Sequence, residues 1–389
     1  MQHILFLLED YNHFYTHHTN AILKNNSSSN YTEILNTLTA KKYYQADSMA
    51  KAFQKLGYTT SIIVPEANPL QLLWAKQNNK LVYFKWLLQK PMRSFKSRFL
   101  KQHRNSYNSI QFNVLLQQVK TIKPDIIYFY SNIFITQKQI ETLKKHSKKI
   151  VLQWTCPIWN IIPYSSFDII ITAAIQLKEY FDAKKINSIY IQQAFDDSII
   201  DQLLPKSNQY KGDVVFIGNF ALGHTYRFEV LEYLLQNNID LTIYGSGKNY
   251  VPKTSLVHTK IQPGLFGIDM YNEYQNYKMA IHIHTTGFEN DGINWDKYAG
   301  AKRLFEITGS GTLFLTTHQQ NIKDLYEIDK EVVTFKNAEE LLQKINYFLI
   351  HSNEAETIAK NGQLRTLKSH SFMARAIELE PILFSTTHL

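Results

Sequence analysis

The sequence predicts an α/β chain made of two successive open parallel-sheet units, and three observations lead there. Its 389 residues exceed what a single core usually fills. The first half alternates short apolar, β-branched runs with helix-period segments, the pattern of a parallel sheet covered by helices. After a polar, turn-rich stretch at 203–212 the same alternation restarts. A hydrophobic content of 44% with 19% charged residues excludes a disordered chain.

Element by element, residues 3–8 form an apolar run ending in Glu9 and Asp10, as a buried parallel strand does. A polar loop with the run Asn25-Asn26-Ser27-Ser28-Ser29-Asn30 follows. Tyr44, Met49, Ala52, Phe53 and Leu56 recur at helical spacing, predicting a helix over about 40–56 that stops at Gly57. Strands are expected at 59–64, 125–130, 149–154, 167–172 and 188–192, with helices at 137–145 and 175–183 among them. In the second half strands are expected at 213–217, 241–244, 279–284 and 312–316, with helices at 226–236 and 302–308. The predicted domains are 1–205 and 206–370, with a C-terminal helical segment, 371–389, that crosses back to pack on the first. Two such sheets imply a cleft between their strand ends, where ligands of open α/β sheets bind.

Cys156 is the one cysteine, so no intrachain disulfide and no cysteine-based zinc site can form; it reads as a plain thiol rather than a nucleophile. The N-terminal apolar run is too short for a signal-peptide core, and no stretch approaches a spanning helix. A cytoplasmic protein is expected, with a peripheral place on the inner face of the membrane as a variant. The net charge of +9 is uneven: between Glu66 and Asp125 there is no acidic residue but a series of bases from Lys76 to Lys123. Trp74, Tyr83, Phe84, Trp86, Phe95 and Phe99 are interleaved with them. The segment 67–124 therefore suits an anionic membrane surface, and equally a solvated basic face; nucleic acid is the least favoured partner.

Three glycine turns follow strands of the second half: Gly218-Asn219, Tyr244-Gly245-Ser246, and Thr285-Thr286-Gly287 after His284. Glycine at a strand end lets backbone amides approach a phosphate, although each turn alone is also ordinary chain punctuation. The densest constellation runs from Trp295 to Gly311. There Lys302 and Arg303 open a helix, where cations oppose its dipole. A bound anion would explain that placement. Glu306 lies three residues after Arg303, so both point to one side of the helix. A ribose-and-phosphate clamp and a surface ion pair fit that spacing equally.

The stretch from about Asp213 to Arg375 resembles the C-terminal domain of GT-B glycosyltransferases, specifically the spore-protein CgeB-like group related to glycosyltransferase family 4. The resemblance rests on Val-Val-Phe-Ile-Gly at 214–218, Arg227, Leu-Thr-Ile-Tyr-Gly at 241–245 and His-Ile-His at 282–284. It continues through Arg-Leu-Phe-Glu-Ile-Thr-Gly-Ser-Gly-Thr-Leu-Phe-Leu at 303–315, Asp324-Leu325-Tyr326 and Lys-Glu-Val-Val-Thr-Phe at 330–335, and on to Arg375. The resemblance implies a GT-B fold and transfer of a hexosyl group from a nucleotide-diphosphate sugar. Glu306 would hold the donor ribose, and Arg227 and Arg303 the diphosphate, without a metal; no Asp-x-Asp triplet is present. No further cofactor is implied. Family 4 enzymes carry a second glutamate eight positions before the ribose-binding one; Tyr298 stands there, with Asp296 nearby. The stereochemical course stays open.

For the acceptor half, Asp10, His17 and His18 are the candidate general bases after the first strand, beside Glu9 and the Trp154-Thr155 turn. Asp196-Asp197 fits either a donor-sugar contact or a helix cap. The expected acceptor is a glycan or a lipid-linked carrier of the cell-surface polysaccharide type. Other readings on the same fold are a sugar-nucleotide epimerase or phosphorylase, and a non-catalytic subunit that binds a partner or membrane.

Overall fold

The computed structural model describes residues 1–10, 13–26, 28–43, 47–88, 109–130, 135–205, 209–221, 224–284, 289–290 and 292–384. It divides into two compact units, one of 1–173, 178–191 and 376–389, the other of 174–177 and 192–375. The second unit takes in residues from Gln192 onward because Phe195 is tied into it: its N–H donates to His370 O, its carbonyl accepts from Phe372 N, and its ring packs on Tyr271.

In the first unit the strands are β1 (His3–Leu8), β2 (Thr59–Ile63), β3 (Ile126–Tyr130), β4 (Lys149–Gln153), β5 (Ile169–Thr172) and β6 (Ser188–Tyr190). They form one parallel sheet in the order β2-β1-β3-β4-β5-β6. Every residue of β3 is buried, as its unbroken Ile-Ile-Tyr-Phe-Tyr run predicts for a strand covered on both faces. The end of the helix Phe372–Phe384 joins this unit. Phe384 stacks on Tyr58 at 4.4 Å, Glu380 accepts from the Tyr58 hydroxyl, and Lys149 Nζ donates to the carbonyls of Ile382 and Leu383.

The helical reading of the early chain needs correction. Residues 14–25, read as loop, form the helix Phe14–Asn25, a further helix, Tyr31–Ala40, precedes the one expected over 40–56, and that one is Ser48–Lys55, Tyr44 lying outside the described residues. The helix Tyr31–Ala40 starts at a capping box between Asn30 and Glu33, and the chain leaves it at Lys42, whose φ of 55° breaks the helical geometry.

In the second unit β7 (Gly212–Ile217), β8 (Leu241–Gly245), β9 (Ile261–Pro263) and β10 (Tyr277–His282) precede the short pair β11 (Glu289–Asn290) and β12 (Ile293–Asn294). After these come β13 (Leu313–Thr317) and β14 (Val333–Phe335). The parallel sheet runs β14-β13-β10-β7-β8-β9. Alternate residues of β7 serve opposite cores: Val214 and Phe216 pack with Ile243 and Ile281, while Val215 and Ile217 pack with Ala280 and Phe314. Each such buried branched or aromatic side chain contributes about 1.5–3 kcal/mol. The chain passes from β7 to β8 and β9 on one side, then returns to place β10 on the other. The carboxyl ends of β7 and β10 therefore flank a topological switch point.

Candidate functional site

Arg227 occupies that switch point. The helix Thr225–Gln236 follows β7 and turns this side chain back across the strand ends. Its Nε and Nη2 donate to Ile283 O at 3.1 and 2.8 Å, and its Nη1 reaches Asn219 O and, at 3.0 Å, His224 Nδ1. The guanidinium thus staples the end of β7 to the end of β10. It is 7% exposed, and among the described residues no carboxylate pairs with it. Burial, then the nearby charge of Arg303, pushes its pKa down to about 10.

Buried imidazoles surround it. His284 is held by the hydrogen bond from its N–H to Thr317 Oγ1, and its ring meets that of His282 edge-on at 4.4 Å. His282 Nδ1 and His284 Nε2 are buried without a hydrogen-bond partner. Burial and then Arg227 push His284 down to about 3, while burial, His284 and the two arginines hold His282 well below its usual range. His224 is pushed down to about 4 by burial and then Arg227. All three rings are neutral near pH 7, and His224 Nδ1 lies 3.0 Å from both Arg227 Nη1 and Asn219 O.

The helix Arg303–Gly309 contributes the other half. Arg303 pairs with Glu306 through Nη1 and Oε2 and also reaches Met270 Sδ. Glu306 is 6% exposed, and its Oε1 faces the Tyr271 hydroxyl at 3.4 Å. The pair predicted from the i,i+3 spacing is therefore formed, and its carboxylate is buried rather than on the surface. Lys302 precedes the helix; burial, partly offset by Glu306, pushes its pKa down to about 8, and Arg303 adds to the fall. The helix is anchored from behind by a buried triangle of hydroxyls from Thr308, Tyr326 and Thr366, with contacts of 2.7–3.1 Å.

Two of the three glycine turns are closely packed against each other. Gly218 N donates to Tyr244 O, and a Cβ on Gly245 would lie 2.1 Å from Gly218 O. The Asn219 side chain is engaged by the Ser246 hydroxyl at 2.9 Å. The Tyr244 hydroxyl donates to Glu273 at 2.8 Å and so is taken up within the fold. Thr285, Thr286 and Gly287 lie outside the described residues. Tyr298 is half-buried under Lys297 Nζ, which sits 4.8 Å above its ring. Asn321, which the sequence reading did not single out, fixes this loop: its amide accepts from Ala299 N and donates to Ala299 O at 2.7 and 2.8 Å. The paired amide bonds have no local sequence signature, since 22 residues separate the partners.

In the first unit Asp10 is 5% exposed and caps the helix Phe14–Asn25, accepting from Tyr15 N at 2.7 Å and from the Thr16 amide and hydroxyl. A carboxylate so engaged is placed as a cap, not as a free base. His17 is exposed, and His18 is half-buried with its ring 4.5 Å from Phe14. Burial, Lys41 and His17 lower the His18 pKa. Asp196 likewise accepts from the Ser198 amide and hydroxyl, as a turn cap does. Among the described residues no group of three His, Cys, Asp or Glu side chains is placed to hold a metal ion. No helix among them is long and apolar enough to cross a membrane.

Residues 227–380 match the family model described as glycosyl transferase-like. No curated protein matches the chain in sequence. Among solved structures, a glycosyltransferase from Rickettsia africae ESF-5 is 14% identical with a TM-score of 0.58 over 99% of both chains. Anabaena Alr3699/HepE in complex with UDP and glucose is 11% identical, with a TM-score of 0.53 over 98% of this chain and 99% of that one. The sucrose-phosphate synthase (tll1590) from Thermosynechococcus elongatus is 9% identical, with a TM-score of 0.52 over 98% of each. The chain has the GT-B fold of glycosyltransferases, and its segment 227–380 is glycosyl transferase-like in sequence.

Proposed function

We propose that this protein transfers a glycosyl group from a nucleoside-diphosphate sugar, with the donor diphosphate at Arg227, Lys302 and Arg303 and the donor ribose at Glu306. The observation that carries the reading is Arg227, a buried cation held at a switch point by neutral groups alone. A buried, unpaired charge costs several kcal/mol, and an arriving anion relieves that cost. Arg303 lies within electrostatic reach of it and Lys302 within reach of Arg303, and the neutral imidazoles of His282 and His284 offer buried nitrogens to phosphate oxygens. This set would stabilise the departing diphosphate by fixed charges, without a metal. The glycosyl transferase-like match over 227–380 and the UDP-glucose complex of Anabaena Alr3699/HepE support a UDP-sugar among possible donors.

A CgeB-like, family 4-related hexosyltransferase acting on a glycan or lipid-linked acceptor is the finer form of this reading. The surface of residues 80–88 favours a lipid-linked acceptor. Val82 and Trp86 are buried with Ala75, Ile110 and Val114, yet Leu81, Phe84 and Leu88 are 68, 58 and 76% exposed on the same helical stretch. Their spacing makes an apolar stripe beside Lys80 and Lys85, in a segment without a single acid, as an anionic bilayer surface would require.

Isothermal titration with UDP, GDP and dTDP, together with thin-layer analysis of a UDP-sugar incubated with and without acceptor glycan, tests the proposal. Binding of one nucleotide that is lost in Arg227→Met supports it. Absence of binding to all three overturns it, and a new sugar nucleotide formed without acceptor would favour an epimerase. Co-sedimentation with phosphatidylglycerol vesicles tests the stripe: pelleting of wild type but not of Leu81→Ser/Phe84→Ser is expected, and equal pelleting refutes it.

A further inference from the structure

The edge at which the strands of the first sheet begin carries a row of positive charge. Backbone hydrogen bonds tie the strand entrances together: Thr59 N donates to Gln2 O, Asp125 N to His3 O, Lys148 N to Asp125 O, Asp168 N to Ile150 O, and Ile170 N to Asn187 O. With six strands about 4.8 Å apart, the row spans roughly 24 Å. Exposed lysines stand in the junctions that lead into it: Lys55 before β2, Lys123 before β3, Lys145 before β4, and Lys184 and Lys185 before β6.

The acids at this edge are already engaged. Asp125 pairs with Lys148 at 2.9 Å and accepts from His3 N, and Asp168 pairs with Lys144 at 2.6 Å and accepts from Ile150 N. Glu380 accepts from the Tyr58 hydroxyl, and Asp182 pairs with Lys178. Among the described residues, Lys55, Lys123, Lys145, Lys184 and Lys185 have no ion pair. A lysine in the last turn of a helix suits its dipole, which accounts for Lys55 by itself. At Lys123 and Lys185 the backbone is left-handed, with φ of 52° and 56°. Lys185 N donates to Asp182 O and Ile186 N to Phe181 O, the helix-ending turn in which glycine is the least strained residue. Both positions keep a charge against that preference.

The chemistry of the row selects among anions. Lysine supplies all five charges and arginine none, so they are flexible point charges without the planar fork that reads a single phosphate or base edge. The exposed aromatic side chains Phe84, Tyr250 and Tyr347 all lie outside these junctions, which leaves no exposed ring there for a nucleobase to stack on. A straight row of lysines on separate loops matches a flat layer of phosphates better than a strand held in a groove. We propose that this edge of the first unit lies on an anionic lipid bilayer, with the five lysines among the headgroup phosphates. The inference rests on neither the donor assignment nor the apolar stripe at Leu81, Phe84 and Leu88, whose residues it does not use.

Co-sedimentation of the full chain with lipid vesicles over a salt series tests the proposal. Wild type should bind phosphatidylglycerol and not phosphatidylcholine, and should be released as salt rises. Lys123→Gly/Lys145→Gln/Lys185→Gly removes three charges and puts glycine where the backbone is left-handed. Its Tm should equal or exceed that of wild type, while its partition coefficient on phosphatidylglycerol falls by roughly 100-fold. Lys55→Gln/Lys184→Gln, at two further exposed positions, should lower it by about 30-fold and serves if the triple variant unfolds. Lys323→Gln/Lys360→Gln/Lys368→Gln lowers the net charge equally from exposed positions in the second unit and should bind as wild type does. UDP affinity should be unchanged in every variant, so the donor reading stands or falls separately. No binding by wild type, wild-type binding by the first-unit variants, or equal losses in the two triple variants would each overturn the proposal. Binding of a DNA duplex that is lost in the first triple variant, with vesicle binding unchanged, would assign the row to nucleic acid and overturn it too.

Discussion

Glu306→Gln separates the two roles open to the Arg303–Glu306 pair. The substitution keeps the shape of the side chain and its acceptor toward Tyr271 and removes only the charge. Glu306 is 8% exposed at its side chain and Arg303 23%, so the pair stands between the two measured regimes. A fully buried pair that loses one partner costs about 3–5 kcal/mol and an exposed one about 0–1. A loss of about 2 kcal/mol is therefore expected, or about 4–8 °C in Tm at the ~2–4 °C per kcal/mol of a domain this size. If the carboxylate also holds ribose hydroxyls, charge-assisted hydrogen bonds worth about 1.5–3 kcal/mol are lost on binding as well. The nucleotide Kd then rises by roughly 10- to 150-fold. Differential scanning calorimetry reads the first quantity and isothermal titration with UDP the second. A lowered Tm with an unchanged Kd would show that Glu306 only braces Arg303, and would refute the clamp.

Other consequences follow from the same geometry. Gly245→Ala would drive a methyl into Gly218 O and should cost at least about 1–3 kcal/mol in urea denaturation even without ligand, because backbone has nowhere to move. Lys302, with its pKa lowered to about 8, loses its charge as pH rises through 8, so UDP affinity should fall there and the break should vanish in Lys302→Gln. On stability the sign is opposite: between about pH 8 and its unfolded value of 10.5 the unfolded chain binds more protons, and Lys302 makes folding more favourable as pH rises. The lowered pKa values of His224, His284 and His370 (about 4, 3 and 4) mean that the unfolded chain binds more protons from their model value of 6.5 downward. Stability should therefore fall steadily from pH 6.5 to 3, and these rings should not titrate between pH 5 and 7 by NMR. Asn321→Ala removes both bonds to Ala299 and should cost about 1–3 kcal/mol, with faster amide exchange at Ala299.

Much of the scaffold was legible in the chain because its signals are local. Runs such as Ile126–Tyr130 and Val214–Ile217 are apolar throughout, and only a strand covered on both faces accommodates them. The helices Phe14–Asn25 and Tyr31–Ala40 were missed where polar residues on solvent faces masked the period, although the Asn30–Glu33 capping box was there to be read. The polar stretch at 203–212 reports local composition, whereas the compact second unit already includes Gln192, since the partners of Phe195 lie near residue 371.

The sequence by itself determined the Arg303–Glu306 pair, because three residues of helix fix that distance whatever surrounds it. It could not determine that Arg227 is clasped by Ile283, that Tyr244 turns to Glu273, or that Asp10 is engaged as a helix cap. In the first two cases the partners are 56 and 29 residues apart and meet only because the sheet order sets their elements side by side. In the third the carboxylate has several amides within reach, and the left-handed turn at His13 decides which of them it meets. Tertiary structure decided those three, and with them which predicted residues are engaged by the fold.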